Sequence, residues 1–203
     1  MLKVIASLRE MDELGGVLWN DAKHLEGHLD GDPARRQYVR AVFAYIEGLV
    51  FQLKQVVLAR HETGMCTLTP IEAALLREES YQVDDDGTPS VRTAYIQLPR
   101  NLRFVFSVFA KAHDHVFSLA VDSGGWRAFR EAAEIRNRLM HPKSVRDIEV
   151  STDECAQAKV ALDWFTAQFS RLVHESTHST GADRPPPKEV PEQFKRGSKV
   201  KAK

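Results

Sequence analysis

Arg136, Asn137 and His141 are the residues of this chain whose types and spacing point most directly to chemistry. On a helix, Asn137 and His141 lie four apart on one face, while Arg136 falls over an apolar seam of Phe129, Ala133 and Met140. A guanidinium in such a register is costly unless it is paired or faces a wet cavity. Glu47, beside Phe43 and Val50 at the edge of another helix's apolar stripe, is the carboxylate expected to face it. An Arg-Asn-x-x-x-His pattern arises by chance only about 0.01 times in a chain of this composition. Around it Arg127, Arg130, Arg138, Lys143 and Arg146 outnumber Glu131, Glu134 and Asp147, a local positive balance that suits a phosphate group.

The run Arg136-Asn137-Arg138-Leu139-Met140-His141-Pro142 resembles the hallmark of the higher eukaryotes and prokaryotes nucleotide-binding (HEPN) superfamily. That hallmark is Arg, commonly followed by a polar residue such as Asn, with His four to six residues after the Arg. The resemblance spans about Arg35 to Glu175, with the helix Arg40 to Glu47 in the place of the family's first bundle helix. It implies a four-helix bundle, homodimerisation that brings two motifs together, and metal-independent cleavage of RNA in the catalytic members. It also implies a toxin or phage-defence effector held in check by an antitoxin protein or a trigger. Lys143 stands where members paired with a nucleotidyltransferase antitoxin carry Tyr. Other members bind nucleotides, RNA or proteins without catalysis, and that alternative stays open at this point.

The residue types fit the implied chemistry. A histidine titrating near neutrality moves the proton of a ribose 2′-hydroxyl or of the leaving 5′-oxygen, and an arginine grips the phosphate oxygens in a bidentate fork. Two histidines of a symmetric dimer supply acid and base, and the product is a 2′,3′-cyclic phosphate. Asn137 is expected to orient His141 or the phosphate, with Arg130, Arg138 and Lys143 as further phosphate contacts. No metal ligand set and no cofactor is required.

Helices must position this motif, and the pattern predicts six of them in an all-α fold. The first runs over about Leu2 to Leu29, with Gly15-Gly16 as a weak point, and packs outside the bundle. Asp32-Pro33 marks the start of a second, whose stripe runs from Val39 through Val42, Ile46, Val50 and Leu53 to Val57. Thr69-Pro70-Ile71-Glu72 is a capping box for a short helix over about Pro70 to Glu79, and a small hairpin is expected within residues 81–97 around Asp84 to Gly87. The stripe Leu102, Phe106, Phe109, His113, Val116, Phe117 and Ala120 predicts a fourth helix ending at Asp122 to Gly125. The motif helix starts near Trp126 and is ended by Pro142, and Ser151 to Glu154 caps the last helix. The four long later helices suit an antiparallel bundle over residues 33–176, preceded by the N-terminal helix over residues 1–31.

Composition narrows the function classes. The chain has 203 residues, 43% of them hydrophobic, and a formal net charge of zero, which suits one helical core and gives no bulk electrostatic attraction to nucleic acid or membrane. From Thr177 seven basic residues face three acidic ones amid a proline run, so a disordered basic tail is expected. The longest apolar stretch, Leu102 to Val121, is broken by Lys111, His113, Asp114 and His115, so no membrane span is expected, and the acidic N-terminus does not read as a secretory signal. A cytoplasmic chain with free Cys66 and Cys155 follows as the expectation. His24 and His28 have a zinc-compatible spacing but no evident third ligand, and read as solvated helix surface. His113 reads as a hydrogen-bonded core histidine or, alternatively, as a wall of the motif cavity. Gly124-Gly125 follows no strand, which excludes glycine-rich nucleotide loops.

Overall fold

The computed structural model describes residues 1–178, in which six helices and one two-stranded sheet follow the order α1 (Leu2–Glu26), α2 (Asp32–Glu62), α3 (Pro70–Leu76), β1 (Glu79–Val83), β2 (Pro89–Thr93), α4 (Leu98–Ala112), α5 (Gly124–Met140) and α6 (Thr152–His178). The all-α expectation with a small hairpin holds. Thr177 and His178, expected to begin the tail, are the last residues of α6, and the remainder of that tail lies outside the described residues.

The bundle is organised around α2. Val39, Val42, Phe43, Ile46, Val50, Leu53, Val56 and Val57 are all buried, and α1, α4, α5 and α6 each pack against this helix. It is also the one helix among the described residues long and apolar enough to cross a membrane, yet 67% of that apolar window is buried inside the protein. A helix apolar on most sides needs partners on most sides, and the surrounding helices supply them. The capping box on α3 is complete: Glu72 N–H donates to Thr69 Oγ1 at 3.2 Å and Thr69 N–H to Glu72 Oε2 at 2.8 Å. The hairpin pairs Glu79 with Thr93 and Val83 with Pro89 in antiparallel register.

Three expectations about the helices need correction. Gly15-Gly16 does not weaken α1, which runs unbroken to Glu26 and stops short of Leu29. Gly15 sits where a Cβ would come 3.0 Å from Leu49 of α2, and at Gly48 one would come 2.8 Å from Leu18 of α1, so these glycines permit a close helix contact. The stripe from Leu102 to Ala120 overran its helix. The α4 helix ends at Ala112, Asp114 takes a left-handed conformation (φ 60°), and His115 N–H donates back to the Ala110 carbonyl at 3.1 Å, closing the helix end. Phe117 still packs, edge-on to Phe106 with ring centroids 5.8 Å apart, whereas Val116 is 75% exposed. Asp32 was expected to cap α2. Gly31, at φ 85°, holds that position instead, and Asp32 is the first helical residue.

The motif helix α5 is seated by aromatic packing against α6. Phe129 is fully buried between Trp126 and Trp164, with both centroids 5.4 Å away, and near Phe43 of α2 at 6.2 Å. Its buried face is Ala128, Phe129, Ala132, Ala133, Ile135 and Leu139, so Met140, expected in the seam, is 48% exposed. Gly125 makes the close approach possible, since a Cβ there would lie 2.3 Å from Cδ1 and 2.7 Å from Cβ of Trp164. At neighbouring Gly124 the same atom meets nothing within 4 Å. Gly125→Ala is therefore expected to destabilise the protein by about 1–3 kcal/mol through overpacking, and Gly124→Ala to leave it within about 1 kcal/mol of wild type. Thermal or urea melting of the two variants checks the contrast, and equal melting would show that α5 tolerates displacement from α6.

Candidate functional site at the end of α5

Ser123 starts α5 by accepting the Trp126 N–H at 3.2 Å, and the helix runs to the motif at Arg136. At its far end Arg136 is half-buried between α5 and α2. Its Nη2 donates to Glu47 Oε2 at 2.6 Å and its Nη1 to Asn137 Oδ1 at 3.3 Å. The expected Arg136–Glu47 pair is therefore present, at the edge of the seam and not deep within it. Burial pushes the Glu47 carboxyl above the usual carboxylate range, against the attraction of Arg136.

The side chains of Asn137 and His141, four residues apart, share no hydrogen bond. Asn137 braces Arg136, not the imidazole. His141 caps the C-terminus of α5 with φ −131° and ψ 57°, so it leaves the helical course, and its N–H donates to the Asn137 carbonyl at 3.1 Å. Its side chain is exposed and makes no hydrogen bond among the described residues. Arg136, Asn137 and Glu47 thus form one bonded group, and His141 stands one turn beyond it with a free imidazole.

The backbone after His141 is tied down from two sides. Arg138 donates to the carbonyls of Arg146 and Glu149 at 3.1 and 3.0 Å and to Glu154 Oε1 at 2.6 Å. Arg138, expected as a phosphate contact, is only partly exposed, and these donors hold the connection between α5 and α6. From α2, Arg35 and Arg36 donate to the carbonyls of Val150 and Ile148, Asp32 accepts the Val150 N–H at 3.0 Å, and Arg40 donates to the Leu139 carbonyl at 3.3 Å. Asp147 accepts the N–H groups of Lys143 and Ser144, which hold its carboxyl below the usual range. The Lys143 ammonium itself is exposed and unpaired among the described residues.

Two hollows flank Arg136 on its α4 side. The inner one, about 300 Å³, is lined by Glu47, Phe51, Lys54, Glu78, Asn101 and Arg136. The outer one, about 430 Å³, lies between Tyr95, Arg100 and Arg103 on one side and Trp126, Arg130 and Arg136 on the other. Arg130 thus stands near the motif as expected. Lys54, Tyr95, Arg100 and Arg103 were not anticipated, although Arg100 and Arg103 at a three-residue step after Pro99 give a readable signal of one basic helix face.

The weaker signals resolve as structural. His113 closes α4, its Nδ1 lies 2.8 Å from the Phe109 carbonyl, burial pushes its pKa down, and it lines neither hollow. His24 and His28 are neighbours on α1, but no group of three or more His, Cys, Asp or Glu that could hold a metal ion occurs among the described residues. Cys66 and Cys155 are free thiols. The chain matches no protein-family model, no curated protein and no solved structure.

The Arg136–Glu47 pair has a measurable consequence. In a double-mutant cycle with Glu47→Gln and Arg136→Met, the favourable coupling is expected to be about 1 kcal/mol at neutral pH, since the pair is partly exposed. Coupling needs the ionised carboxylate. Because burial raises the Glu47 pKa, the coupling is lost on acidification at a higher pH than for an ordinary carboxylate. The same raised pKa makes this carboxyl's own contribution to stability fall as pH rises from its unfolded to its folded pKa, and Glu47→Gln removes that fall. Denaturant melting of the four proteins across pH measures both effects. A coupling unchanged down to pH about 4, where an ordinary Glu is half protonated, would contradict the raised pKa.

Proposed function

We propose that this chain is a HEPN-like, metal-independent endoribonuclease that works as a homodimer in the cytoplasm, as a toxin or phage-defence effector restrained by an antitoxin protein or a trigger. The observation that carries the reading is the pairing of a half-buried, braced Arg136 with an exposed, unbonded His141 one turn away at a helix end. In this mechanism one His141 takes the proton of a ribose 2′-hydroxyl as that oxygen attacks the adjacent phosphorus. The second His141, from the other subunit, gives a proton to the departing 5′-oxygen, leaving a 2′,3′-cyclic phosphate. Arg136 stabilises the charge that builds on the non-bridging oxygens, with Glu47 and Asn137 holding the guanidinium in place. Acid, base and cation all come from side chains, so neither metal nor cofactor enters the scheme.

A rival reading, a non-catalytic module that binds RNA, a nucleotide or a protein, draws support from the same ion pair: an arginine already held at 2.6 Å by Glu47 also serves as a structural tie. The two readings separate in one assay. Purified wild type, His141→Ala and Arg136→Ala are incubated with RNA in chelator, and the ends are analysed for cyclic phosphate. The nuclease reading expects His141→Ala to lose at least about 100-fold in rate and Arg136→Ala about 100- to 1,000-fold, with wild type toxic on expression and His141→Ala harmless. Equal cleavage by wild type and His141→Ala, or none from a folded wild-type dimer, sinks it. Binding that survives His141→Ala but not Arg136→Ala, with no cleavage by any form, establishes the module.

A further inference from the structure

Many arginine side chains among the described residues are engaged. Arg35, Arg36, Arg40, Arg60 and Arg138 donate to backbone carbonyls, and Arg136 is paired with Glu47. Arg100, Arg103 and Arg130 are set apart by their convergence: all three line the outer hollow, all are exposed, and none of their guanidinium groups has a hydrogen bond or a carboxylate partner among the described residues. Arg100 and Arg103 come from one face of the first turns of α4, and Arg130 comes from α5 across the hollow. Against them stands Glu134, since the charge of Glu47 is met by Arg136. Three arginines facing one carboxylate leave the hollow with an excess of positive charge, and an anion relieves the remaining repulsion.

The second observation is aromatic. Tyr95, in the connection from β2 to α4, is 82% exposed and makes no hydrogen bond among the described residues, and it borders both hollows beside Arg136. A large ring left in solvent at the junction of two cavities presents a free face, and an unpaired base stacks on such a face whatever its identity. Trp126 also lines the outer hollow and stacks on Phe129 with ring centroids 5.4 Å apart.

We infer that the outer hollow is a nucleotide subsite, in which Arg100, Arg103 and Arg130 hold a phosphate adjacent to the one at Arg136 and Tyr95 stacks on the unpaired base between them. This rests on the proposed RNA reading and adds a placement to it: the strand runs from the motif across the mouth of the α4–α5 crevice. A paired base has both faces covered by its neighbours, so the subsite discriminates unpaired strands from duplex.

The test uses the full chain carrying His141→Ala, so that binding is read without cleavage, and a labelled unpaired RNA of ten nucleotides as probe. Adding Arg100→Ala and Arg103→Ala is expected to weaken binding at least about tenfold and to reduce the slope of log affinity against log salt by about 1.4, the value for two lost phosphate contacts on a single strand. Adding Tyr95→Ala is expected to weaken RNA binding at least about fivefold while Tyr95→Phe retains it, and to leave the affinity for inorganic phosphate unchanged. The three positions are exposed and unbonded, and unchanged circular dichroism melting confirms that folding is intact. Affinity and salt slope unchanged by the arginine variants overturn the subsite. Inorganic phosphate competing as well as RNA, or a duplex of equal length binding as tightly, overturns its assignment to an unpaired nucleotide. A wild type that binds RNA through these arginines but leaves it uncut ends the nuclease reading and leaves the subsite standing. Cleavage with unaltered KM in Arg100→Ala/Arg103→Ala does the reverse.

Discussion

Enclosure of α2 is the constraint on which the rest of the structure depends. An unpaired buried charge costs several kcal/mol, and although the Tyr38 hydroxyl of α2 is buried without a partner, the buried charge of this helix, Lys54, is paired. Its polar residues accordingly mark the places where other elements are tied to it. Lys54, with 1% of its side chain exposed, donates to Glu78 Oε1 at 2.8 Å and so fixes the root of the hairpin, at a residue that itself adopts φ 59°. Arg60 reaches the last carbonyl of α4, Ala112, at 3.1 Å. Glu47 meets Arg136, and the first turns of the same helix grip the connection that follows α5. One helix thereby sets the position of the hairpin, the end of α4 and the end of α5.

That arrangement explains how an exposed histidine can occupy a defined place. His141 lies where a helix ends, and carbonyls there have lost their intrahelical partners. Arginines of α2 and of α5 itself satisfy carbonyls here: Arg40 at Leu139 in the last turn of α5 and, in the connection that follows, Arg138 at Arg146 and Glu149, Arg36 at Ile148 and Arg35 at Val150. The Arg40 guanidinium also supplies the positive charge that the negative end of the α5 dipole favours. The His141 imidazole is left free on a backbone held from two directions. Arg35, Arg36, Arg40 and Arg138 are thus engaged by backbone around the α5–α6 connection, whereas Arg100, Arg103 and Arg130 at the outer hollow are unengaged.

Local signals in the sequence were legible where local chemistry decides the outcome. The capping boxes at Thr69 and Ser151, proline at the start of α2 and α3, and the turn at Asp84 to Gly87 each act within a few residues, and each appears where the pattern puts it. Glu47 was legible as the partner of Arg136 because a charge at the edge of an apolar stripe calls for a counter-charge on the facing stripe. Signals failed where tertiary contact overrides local preference. Glycine at position 15 lowers helix propensity yet brings α1 close to α2, and Phe117 is apolar in a helical register but reaches the core from an irregular segment. The bonds of Asn137 and Arg138 were not legible for one reason: helical spacing gives the face of a residue but not the course of the chain beyond the helix end, where His141 turns away and the backbone of residues 146–149 folds back to Arg138.

Glu47 beside Arg136 serves a structural and a chemical reading equally, and the geometry shows why they need not compete. A guanidinium has five N–H donors in a rigid fork. Glu47 takes Nη2 at short range, Asn137 takes Nη1 weakly at 3.3 Å, and Nε has no acceptor among the described residues. A carboxylate that holds one edge of the fork orients the remainder, as outer-shell partners do for other electrostatic sites, and an arginine held before a ligand arrives loses less rotamer freedom when it binds. The opposing term is charge: an ionised Glu47 partly cancels the field that Arg136 presents to a phosphate. Burial raises the Glu47 pKa and so weakens that cancellation at a given pH, while the unpaired Arg100, Arg103 and Arg130 restore positive potential on the α4 side. Orientation by Glu47 and compensation by its unpaired neighbours together allow the arginine to be fixed in the bundle and still remain available to an anion.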